Sequence, residues 1–345
     1  MARGADRLPG GAVILVTGGA GFIGSHTVRR LRAQGFETVV LDDLSEGHAA
    51  AVRGPFVRGD LGDREGLRRL FLEWKPRAVI HFAASCLVGE SVSDPAKYWR
   101  NNLANSLLLL EAMREGGCDR LVFSSTCSLY GDPLRTPIDE SHPVAPINPY
   151  ASTKAAAEKA MGEYSRAYGL RWIALRYFNA AGASPEGDLG EDHAPETHLI
   201  PRALYAALGK EPLVEIYGED YPTPDGTCVR DYIHVEDLAE AHILALRHLD
   251  GGGACGPLNL GTGTGHSVRE VIEACRRATG APLPVEVRPR RPGDPAILVA
   301  DGTRTRATLG WAPRFPRLEE IVGTAWAWHR AHPDGFGDRG GRPSR

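Results

Sequence analysis

The sequence contains no long apolar run, and this absence argues against a membrane-spanning segment. A helix that crosses a bilayer needs about 20 mostly apolar residues, and no stretch of the 345 residues approaches that length. Residues 1–11 include two arginines but no apolar core, so we expect no secretory signal peptide. We therefore expect no membrane partner.

Cysteine is sparse and the charges nearly cancel. The six cysteines are scattered and form no C-x-x-C pair, so neither a disulfide framework nor a cysteine zinc site is expected. The formal net charge is −3 and the pI is about 6.5. Because no long basic run is present, nucleic acid is not an expected partner. These features together predict a cytoplasmic protein.

Three potential metal ligands, His193, Glu196 and His198, lie close together in the sequence. They fall in or beside residues 180–197, which are rich in Gly, Pro, Asp and Glu and therefore predict a long loop. Their spacing matches no zinc-binding helix motif. No metal site is predicted.

A glycine-rich turn follows the first apolar run. Residues 12–16 are apolar, residues 17–24 read Thr-Gly-Gly-Ala-Gly-Phe-Ile-Gly, and a helical pattern follows. A strand, a glycine turn and a helix N-terminus together receive a pyrophosphate on backbone N–H groups. Asp42 and Asp43 end the next apolar run. A carboxylate there binds ribose hydroxyls and repels an extra phosphate, so the predicted cofactor is NAD rather than NADP.

A second pattern supplies the groups that would oxidise an alcohol beside that cofactor. Tyr150 precedes Lys154 by four residues on a predicted helix, which places the phenol and the ammonium on one face. The ammonium can stabilise a phenolate, so the phenol could act as a base near neutral pH. Thr126 lies just past the carboxyl end of a predicted strand, and its hydroxyl could hold or relay the reacting proton.

Strand and helix patterns alternate through the first half of the chain. The predicted strands are 12–16, 37–41, 55–58, 78–82, 120–124 and 172–176, and the predicted helices are 23–34, 64–73, 95–115 and 149–168. Such alternation predicts an α/β fold, with a Rossmann-type doubly wound parallel sheet and a smaller C-terminal substrate lobe.

The pattern also suggests how the chain divides into domains. Residues 11–180 are expected to form the NAD-binding Rossmann domain, and residues 234–262 to return to its sheet. Residues 181–335 are expected to form the substrate-binding lobe. Residues 336–345 are rich in Gly and Arg, so we expect a disordered tail there.

These residues resemble those of a known family. The likeness extends over about residues 12–332 and is to the UDP-glucose 4-epimerase (UDP-galactose 4-epimerase) family, within the extended short-chain dehydrogenase/reductase superfamily. The stretches that carry it, besides Thr126, Tyr150 and Lys154, are 21–27, 88–92, 176–179, 190–193, 220–227, 229–235 and 290–294. The resemblance also implies a homodimer.

The resemblance implies a role for each matching residue. The implied NAD contacts are Gly18, Gly21, Phe22, Ile23, Asp42, Asp43, Asp60, Leu61, Phe82, Ala83, Asn101, Tyr150, Lys154 and Phe178. The implied contacts to a UDP-sugar are Thr126, Asn179, His198, Leu199, Tyr217, Arg230, Arg291, Asp294 and Leu298. Guanidinium groups bind pyrophosphate through two parallel hydrogen bonds, so the two arginines also fit that role on chemical grounds.

The implied reaction inverts carbon 4 of a UDP-hexose through a transient 4-keto sugar. The sugar is oxidised, turns about its pyrophosphate link and is reduced on its other face, so NAD is regenerated. In that scheme Tyr150 takes the proton of the 4-hydroxyl, Thr126 holds the 4-oxygen, and Lys154 lowers the proton affinity of the phenol. UDP-galactose and UDP-glucose are the expected pair.

Other activities remain open at this point. A 4-epimerase of UDP-N-acetylglucosamine or UDP-xylose would share every motif. A sugar-nucleotide 4,6-dehydratase would carry Asp-Glu directly after the catalytic threonine, whereas this chain has Cys127 and Ser128. A non-catalytic NAD-binding sensor would have no need of the base formed by Tyr150 and Lys154.

Overall fold

A computed structural model describes residues 11–291 and 293–338 of the protein. The strands, in chain order, are β1 (Val13–Thr17), β2 (Glu37–Asp42), β3 (Phe56–Arg58), β4 (Ala78–His81), β5 (Arg120–Thr126), β6 (Arg171–Tyr177), β7 (Asn179–Ala181), β8 (Val214–Tyr217), β9 (Val229–His234), β10 (Gly256–Leu260), β11 (Gly265–Ser267), β12 (Val285–Arg288) and β13 (Ile297–Leu298). The helices are α1 (Phe22–Ala33), α2 (Arg64–Trp74), α3 (Val88–Ser93), α4 (Pro95–Tyr98), α5 (Asn105–Glu115), α6 (Pro149–Tyr168), α7 (Leu199–Ala207), α8 (Val235–Asp250), α9 (Val268–Thr279), α10 (Thr303–Leu309) and α11 (Leu318–Ala331).

Seven parallel strands form the main sheet, in the order β10-β6-β5-β4-β1-β2-β3. The strand order reverses between β1 and β4, because β2 and β3 lie on one side of β1 and the later strands on the other. A sheet of this kind binds ligands at the carboxyl ends of its strands, at the point of reversal. The predicted α/β fold class is confirmed.

Helices cover both faces of this sheet because its strands are apolar on both faces. On β1, Ile14 packs in the cluster formed with α1 and α8. The next residue, Leu15, points to the opposite face and packs with α2, α5 and α6, as the two-residue period of a strand requires. The sheet is therefore a rigid, buried platform for the loops at its edge.

The smaller lobe has its own apolar core. Helices α7, α9 and α11 pack together around β8 in a separate buried cluster. In this lobe β9 pairs with β7, β11 and β13, and β8 pairs with β12. Because β7 follows β6 after one residue and β9 leads directly into α8, the lobe joins the large sheet through short connections.

Two local features differ from the patterns read in the sequence. The predicted helix over 95–115 is interrupted by a π-helical segment, Trp99–Ala104, between α4 and α5. Strand β5 continues to Thr126 instead of ending at residue 124, because it pairs with β6 through to Tyr177. The longer strand places the Thr126 hydroxyl at the edge of the sheet.

Part of the segment expected to be disordered is packed against the first domain. The Asp338 carboxylate lies 2.6 Å from Nδ1 of His48, and the Phe336 ring lies 4.7 Å from the His48 ring. The Phe336 N–H also donates to Asp192 at 3.0 Å. The expectation of disorder was wrong for these residues, because a buried histidine gives the segment a partner; residues 339–345 lie outside the described part of the chain.

Within residues 11–291 and 293–338, no helix is both long enough and apolar enough to cross a bilayer.

Candidate active site

The glycine turn between β1 and α1 packs closely against the neighbouring backbone. Gly18 has φ +70°, and a Cβ there would lie 2.5 Å from the backbone nitrogen of Ala83. A Cβ on Gly24 would lie 2.1 Å from the Gly18 carbonyl oxygen, so glycine at both positions allows the helix to pack closely on the turn. No side chain caps the helix and its first turn has no acidic residue. Its first N–H groups can therefore bind a phosphate.

The carboxylate of Asp42 is held in place at the end of β2. Its two oxygens accept hydrogen bonds from the N–H groups of Ala20 at 3.0 Å and Leu44 at 2.9 Å. Burial nevertheless raises its pKa above the ordinary value for aspartate. Both bonds fix the side chain beside the glycine turn, where a ribose can be recognised.

A cavity of about 650 Å³ opens at this edge of the sheet. Every residue that the sequence analysis assigned to NAD lines it, from the glycine turn to Phe178. Thr126, Asn179 and His198, which were assigned to the substrate, also line it. The uncapped start of α1 and the carboxylate of Asp42 fit a dinucleotide cofactor, so the residues present are suited to NAD.

Helix α6 begins with the residues that place the predicted base in this cavity. The Asn148 side chain accepts from the N–H of Ala151 at 2.9 Å, and Pro149 occupies the first helical turn. This start places Tyr150 in the first turn of the helix and Lys154 one turn later. The Tyr150 phenol hydrogen-bonds to the Thr126 hydroxyl at the end of β5. The three residues predicted to be catalytic are therefore neighbours.

The electrostatic setting of Tyr150 differs from the one expected. Burial raises its pKa well above 10, and the hydrogen bond from Thr126 opposes that shift only in part. Lys154 is not among the groups that shift this pKa in the protein alone, and its effect on the phenol with a cofactor bound stays a prediction. The Lys154 ammonium donates to the carbonyl of Ser124 at 2.8 Å. A further positive charge in the cavity would favour the phenolate.

Lys154 itself is almost fully buried and lies over the ring of Phe123, with Nζ 4.7 Å from the ring centroid. Burial lowers its pKa to about 8, although negative charge on Cys86 and Glu158 would raise it. The side chain is therefore mostly protonated at neutral pH. It is placed to hydrogen-bond a ligand from a fixed position.

The residues predicted to bind the UDP part form a second group in the smaller lobe. Tyr217, Arg230, Arg291, Asp294, Leu199 and Leu298 are not among the residues that line the cavity. Arg230 on β9 forms an ion pair with Asp294, and the Arg291 guanidinium lies 3.8 Å from the centroid of the Tyr217 ring. The structure thus forms two pairs among these residues, Arg230 with Asp294 and Arg291 with Tyr217.

Leu298 connects this second group to the cavity. It is buried and packs in one cluster with Cys127 and Phe178, of which Phe178 lines the cavity. In the pairing of β13 with β9 it stands opposite Arg230. The two predicted groups therefore meet around the end of β5.

The sequence analysis missed several residues that line the cavity. Ser124 accepts from Lys154 through its carbonyl, and its hydroxyl lies 2.5 Å from the hydroxyl of Tyr177. Ser85 accepts a hydrogen bond from the Asn101 amide at 3.0 Å. The position of Ser124 two residues before Thr126, at the end of an apolar run, was a usable signal. No pattern in the sequence pointed to Ser85.

Four side chains on the loop before α7 converge at one side of the cavity. Glu191, His193, Glu196 and His198 each place one potential ligand atom within 4.8 Å of the others. Glu191, His193 and His198 also line the cavity. No metal site was predicted, because the spacing of these residues matches no zinc-binding helix motif. In the structure an irregular loop nevertheless brings the four groups together.

Comparison with known proteins identifies the family. Residues 14–261 match the NAD dependent epimerase/dehydratase family. The UDP-glucose 4-epimerase of Halalkalibacterium halodurans is 52% identical over 324 residues, which are 94% of this chain and 97% of that protein.

Solved structures agree in fold as well as sequence. The UDP-glucose 4-epimerase from Brucella ovis in complex with NAD is 52% identical, with a TM-score of 0.89 over 91% of this chain and 97% of that one. The enzyme from Bifidobacterium longum in complex with NAD+ and UDP is 37% identical, with a TM-score of 0.90 over 94% and 100% of the two chains. The chain therefore belongs to the NAD dependent epimerase/dehydratase family and, within it, to the UDP-glucose 4-epimerases.

Proposed function

We propose that the protein interconverts UDP-galactose and UDP-glucose by NAD-dependent inversion of carbon 4. The observation that carries the proposal is the meeting of Thr126, Tyr150 and Lys154 in a cavity that the glycine turn also lines. It occurs in a chain that is about half identical to UDP-glucose 4-epimerases over nearly its full length. NAD is the cofactor of this family, and a UDP-hexose is its substrate.

The cofactor residues fit the two halves of a dinucleotide. The N–H groups at the start of α1 would bind the pyrophosphate, and Asp42 the adenosine ribose. Tyr150 and Lys154 would face the reactive half. NAD⁺ bound here would supply a hydride acceptor, its nicotinamide ring, and that ring carries a positive charge. That charge has the sign needed to favour the Tyr150 phenolate, which the protein alone does not.

The catalytic residues are proposed to divide the proton chemistry between them. Tyr150 removes the proton from the 4-hydroxyl as the bond from carbon 4 to hydrogen breaks, and it returns that proton when the 4-keto group is reduced. Thr126, which already hydrogen-bonds the phenol, holds the 4-oxygen. Lys154 keeps its ammonium in place through the Ser124 carbonyl. The same groups serve both the oxidation and the reduction, because the 4-keto sugar rotates between the two steps while the protein stays in place.

The lobe is proposed to hold the UDP part while the sugar turns. Arg230 and Arg291 can each present two parallel N–H groups to a phosphate. Arg230 is already oriented by Asp294 and by the carbonyl of Val229 at 2.8 Å. Firm contacts to the nucleotide and few to the sugar are what a rotation of the intermediate requires.

A direct assay tests the proposal. Purified protein incubated with UDP-galactose should form UDP-glucose without added NAD, because no net oxidation occurs. The same assay over UDP-xylose and UDP-N-acetylglucosamine separates the other 4-epimerases. A protein that binds NAD but converts none of these sugars would be a sensor, and the proposed activity would be rejected.

The dehydratase alternative has no support in the site. Removal of water across carbons 5 and 6 needs an acid and a base next to the catalytic threonine. Cys127 follows Thr126 and is buried, and burial raises the pKa of its thiol to about 12. Ser128 carries no charge and interacts with the Thr126 hydroxyl. Neither group can act as that acid and base pair.

The first prediction concerns the bound nucleotide. Denatured protein should release about one NAD(H) per chain and essentially no NADP, because the reaction regenerates NAD and the Asp42 carboxylate repels a 2′-phosphate. The released nucleotides can be separated and quantified by chromatography. Asp42→Asn, which keeps the shape of the side chain, should admit a larger share of NADP. Recovery of NADP as the main nucleotide from the unaltered protein would refute the role given to Asp42.

The second prediction concerns substrate breadth. The family resemblance places Leu298 beside carbon 2 of the sugar, and its packing against Phe178 supports that position. Leucine is intermediate in volume, so we expect UDP-N-acetylhexosamines to react slowly but measurably, since overpacking costs about 1–3 kcal/mol. Leu298→Tyr should abolish turnover of the N-acetyl sugars and spare UDP-galactose.

Leu298→Met is the matched control, because it conserves volume and should keep both activities. Rates with UDP-galactose and UDP-N-acetylgalactosamine, measured for all three proteins, decide the question. If the tyrosine variant retains N-acetyl turnover, or if the unaltered protein shows none, Leu298 does not control access at carbon 2.

We further propose that the protein works as a homodimer, as its family resemblance implies, and in the cytoplasm, as its composition predicts. Light scattering should then give about twice the chain mass of 37.2 kDa. Cell fractionation should recover the activity with the cytoplasmic proteins. A monomer mass at working concentration, or activity confined to another fraction, would contradict the respective part of this proposal.

A further inference from the structure

We propose that Glu191, His193, Glu196 and His198 bind one zinc ion that holds the loop before α7 against the cofactor side of the cavity. The inference does not rest on the proposed epimerase chemistry. It rests on the geometry of four side chains on one short loop, whose potential ligand atoms all lie within 4.8 Å of one another.

The spacing of these atoms suits a tetrahedral zinc site. Nδ1 of His198 lies 2.9 Å from Oε1 of Glu191, and it also lies 2.9 Å from Oε1 of Glu196, the oxygen next to the proposed ligand atom Oε2. Nδ1 of His193 lies 3.4 Å from Glu191 and 3.6 Å from Glu196. Bonds of about 2.0–2.1 Å around tetrahedral zinc place neighbouring ligand atoms roughly 3.3 Å apart. Two imidazoles and two carboxylates are also common zinc ligands.

One potential ligand atom, Oε2 of Glu196, faces Nδ1 of His193 at 3.6 Å, beyond hydrogen-bonding distance. Oε2 of Glu196 is buried and accepts no hydrogen bond within the described residues, and the side chain of this residue is only 3% exposed. Its other oxygen, Oε1, accepts from the N–H groups of Thr197 and His198, both at 2.7 Å. The backbone thus fixes the carboxylate with Oε2 directed toward the cluster, which is the orientation that a metal ligand needs.

Charge balance allows either a metal or two protons in this place. Two imidazolium groups would neutralise the two carboxylates, as would one divalent ion bound to two neutral imidazoles. The imidazole rings, however, lie only 5.2 Å apart. Zinc would remove the repulsion between two charged rings.

The position of the cluster indicates what the ion would do. The His193 ring meets the edge of Phe22, in the first turn of α1, with centroids 6.5 Å apart. His198 is the N-terminal boundary residue of α7 and lines the cavity. An ion bound here would hold together the loop that leads to the substrate lobe. Through His193 this loop contacts the first turn of α1, next to the glycine turn. The ion would act by positioning His198 and Leu199, the predicted nucleotide contacts.

Metal analysis of untagged protein, purified without chelators, tests the inference. We expect about one zinc ion per chain by inductively coupled plasma mass spectrometry. Glu196→Gln and His198→Gln should each lose most of it. His248→Gln is the matched control, because His248 lies in the last turn of α8 and hydrogen-bonds to the carbonyl of Ala254; this variant should keep its zinc. Stripped protein should bind Zn²⁺ in calorimetry, and Co²⁺ should give the visible absorption of a tetrahedral site.

The unaltered protein decides the matter even if a variant fails to fold. If it contains no zinc as purified, and shows neither a heat of Zn²⁺ binding nor Co²⁺ absorption after stripping, the four residues form an ion-pair quartet and the inference is wrong. Zinc retained equally in both cluster variants would place the ion elsewhere and would also overturn it. None of these measurements requires turnover, so failure here is distinct from failure of the proposed function.

Discussion

Replacing Tyr150 with phenylalanine should lower the rate of UDP-galactose epimerisation by about 10²–10⁴-fold, the usual cost of losing a general base. The ring remains and fills the same space, so the affinity for UDP should change little. The rate is measured with saturating UDP-galactose, and the affinity by calorimetry with UDP. A selective loss of rate separates a catalytic role from a structural one.

Tyr164→Phe provides the control, because Tyr164 lies on the same helix but hydrogen-bonds Glu111 outside the cavity. It should retain nearly full activity. If Tyr150→Phe keeps more than half of the activity, the proton is accepted elsewhere. Thr126, which hydrogen-bonds the phenol, would then be the next group to replace.

Sequence reasoning succeeded where chemistry is tied to local pattern. The glycine turn, Asp42 and the start of α6 are all read from short segments, because each depends on neighbouring residues and on a strand or helix of known period. Parallel strands bring their carboxyl ends to one edge, so separate segments could be assigned to one cavity. The family resemblance was confirmed by the comparisons.

What could not be predicted depends on contacts between distant or irregular segments. No period relates Glu191 to His198 on a loop, so their convergence could not be read from spacing. The pairing of Arg230 with Asp294 joins residues 64 positions apart. The raised pKa of Tyr150 depends on burial, which is a property of the folded chain. For the same reason the contact of Asp338 with His48 could not be foreseen.

Behind Lys154, one helical turn further along α6, lies a buried ion pair that holds the two sides of the site together. Glu158 and Arg176 are each 7% exposed at the side chain. The guanidinium Nη2 and Nε donate to the Glu158 carboxylate at 2.6 and 3.1 Å. The Ser125 hydroxyl donates to the same carboxylate at 2.5 Å. The pair therefore connects α6, which carries Tyr150, to β5 and β6.

Glu158→Ala should lower the free energy of unfolding by about 3–5 kcal/mol, because it leaves the Arg176 charge buried without its partner. The change in the midpoint and slope of urea unfolding measures this loss. Glu158→Gln keeps a hydrogen-bonding group of the same size and should cost less. The double variant Glu158→Leu with Arg176→Met removes both charges and should recover most of the stability. If Glu158→Ala unfolds at the same urea concentration as the unaltered protein, the pair does not hold α6 to the sheet, and the placement of Tyr150 and Lys154 must depend on the helix start at Asn148 alone.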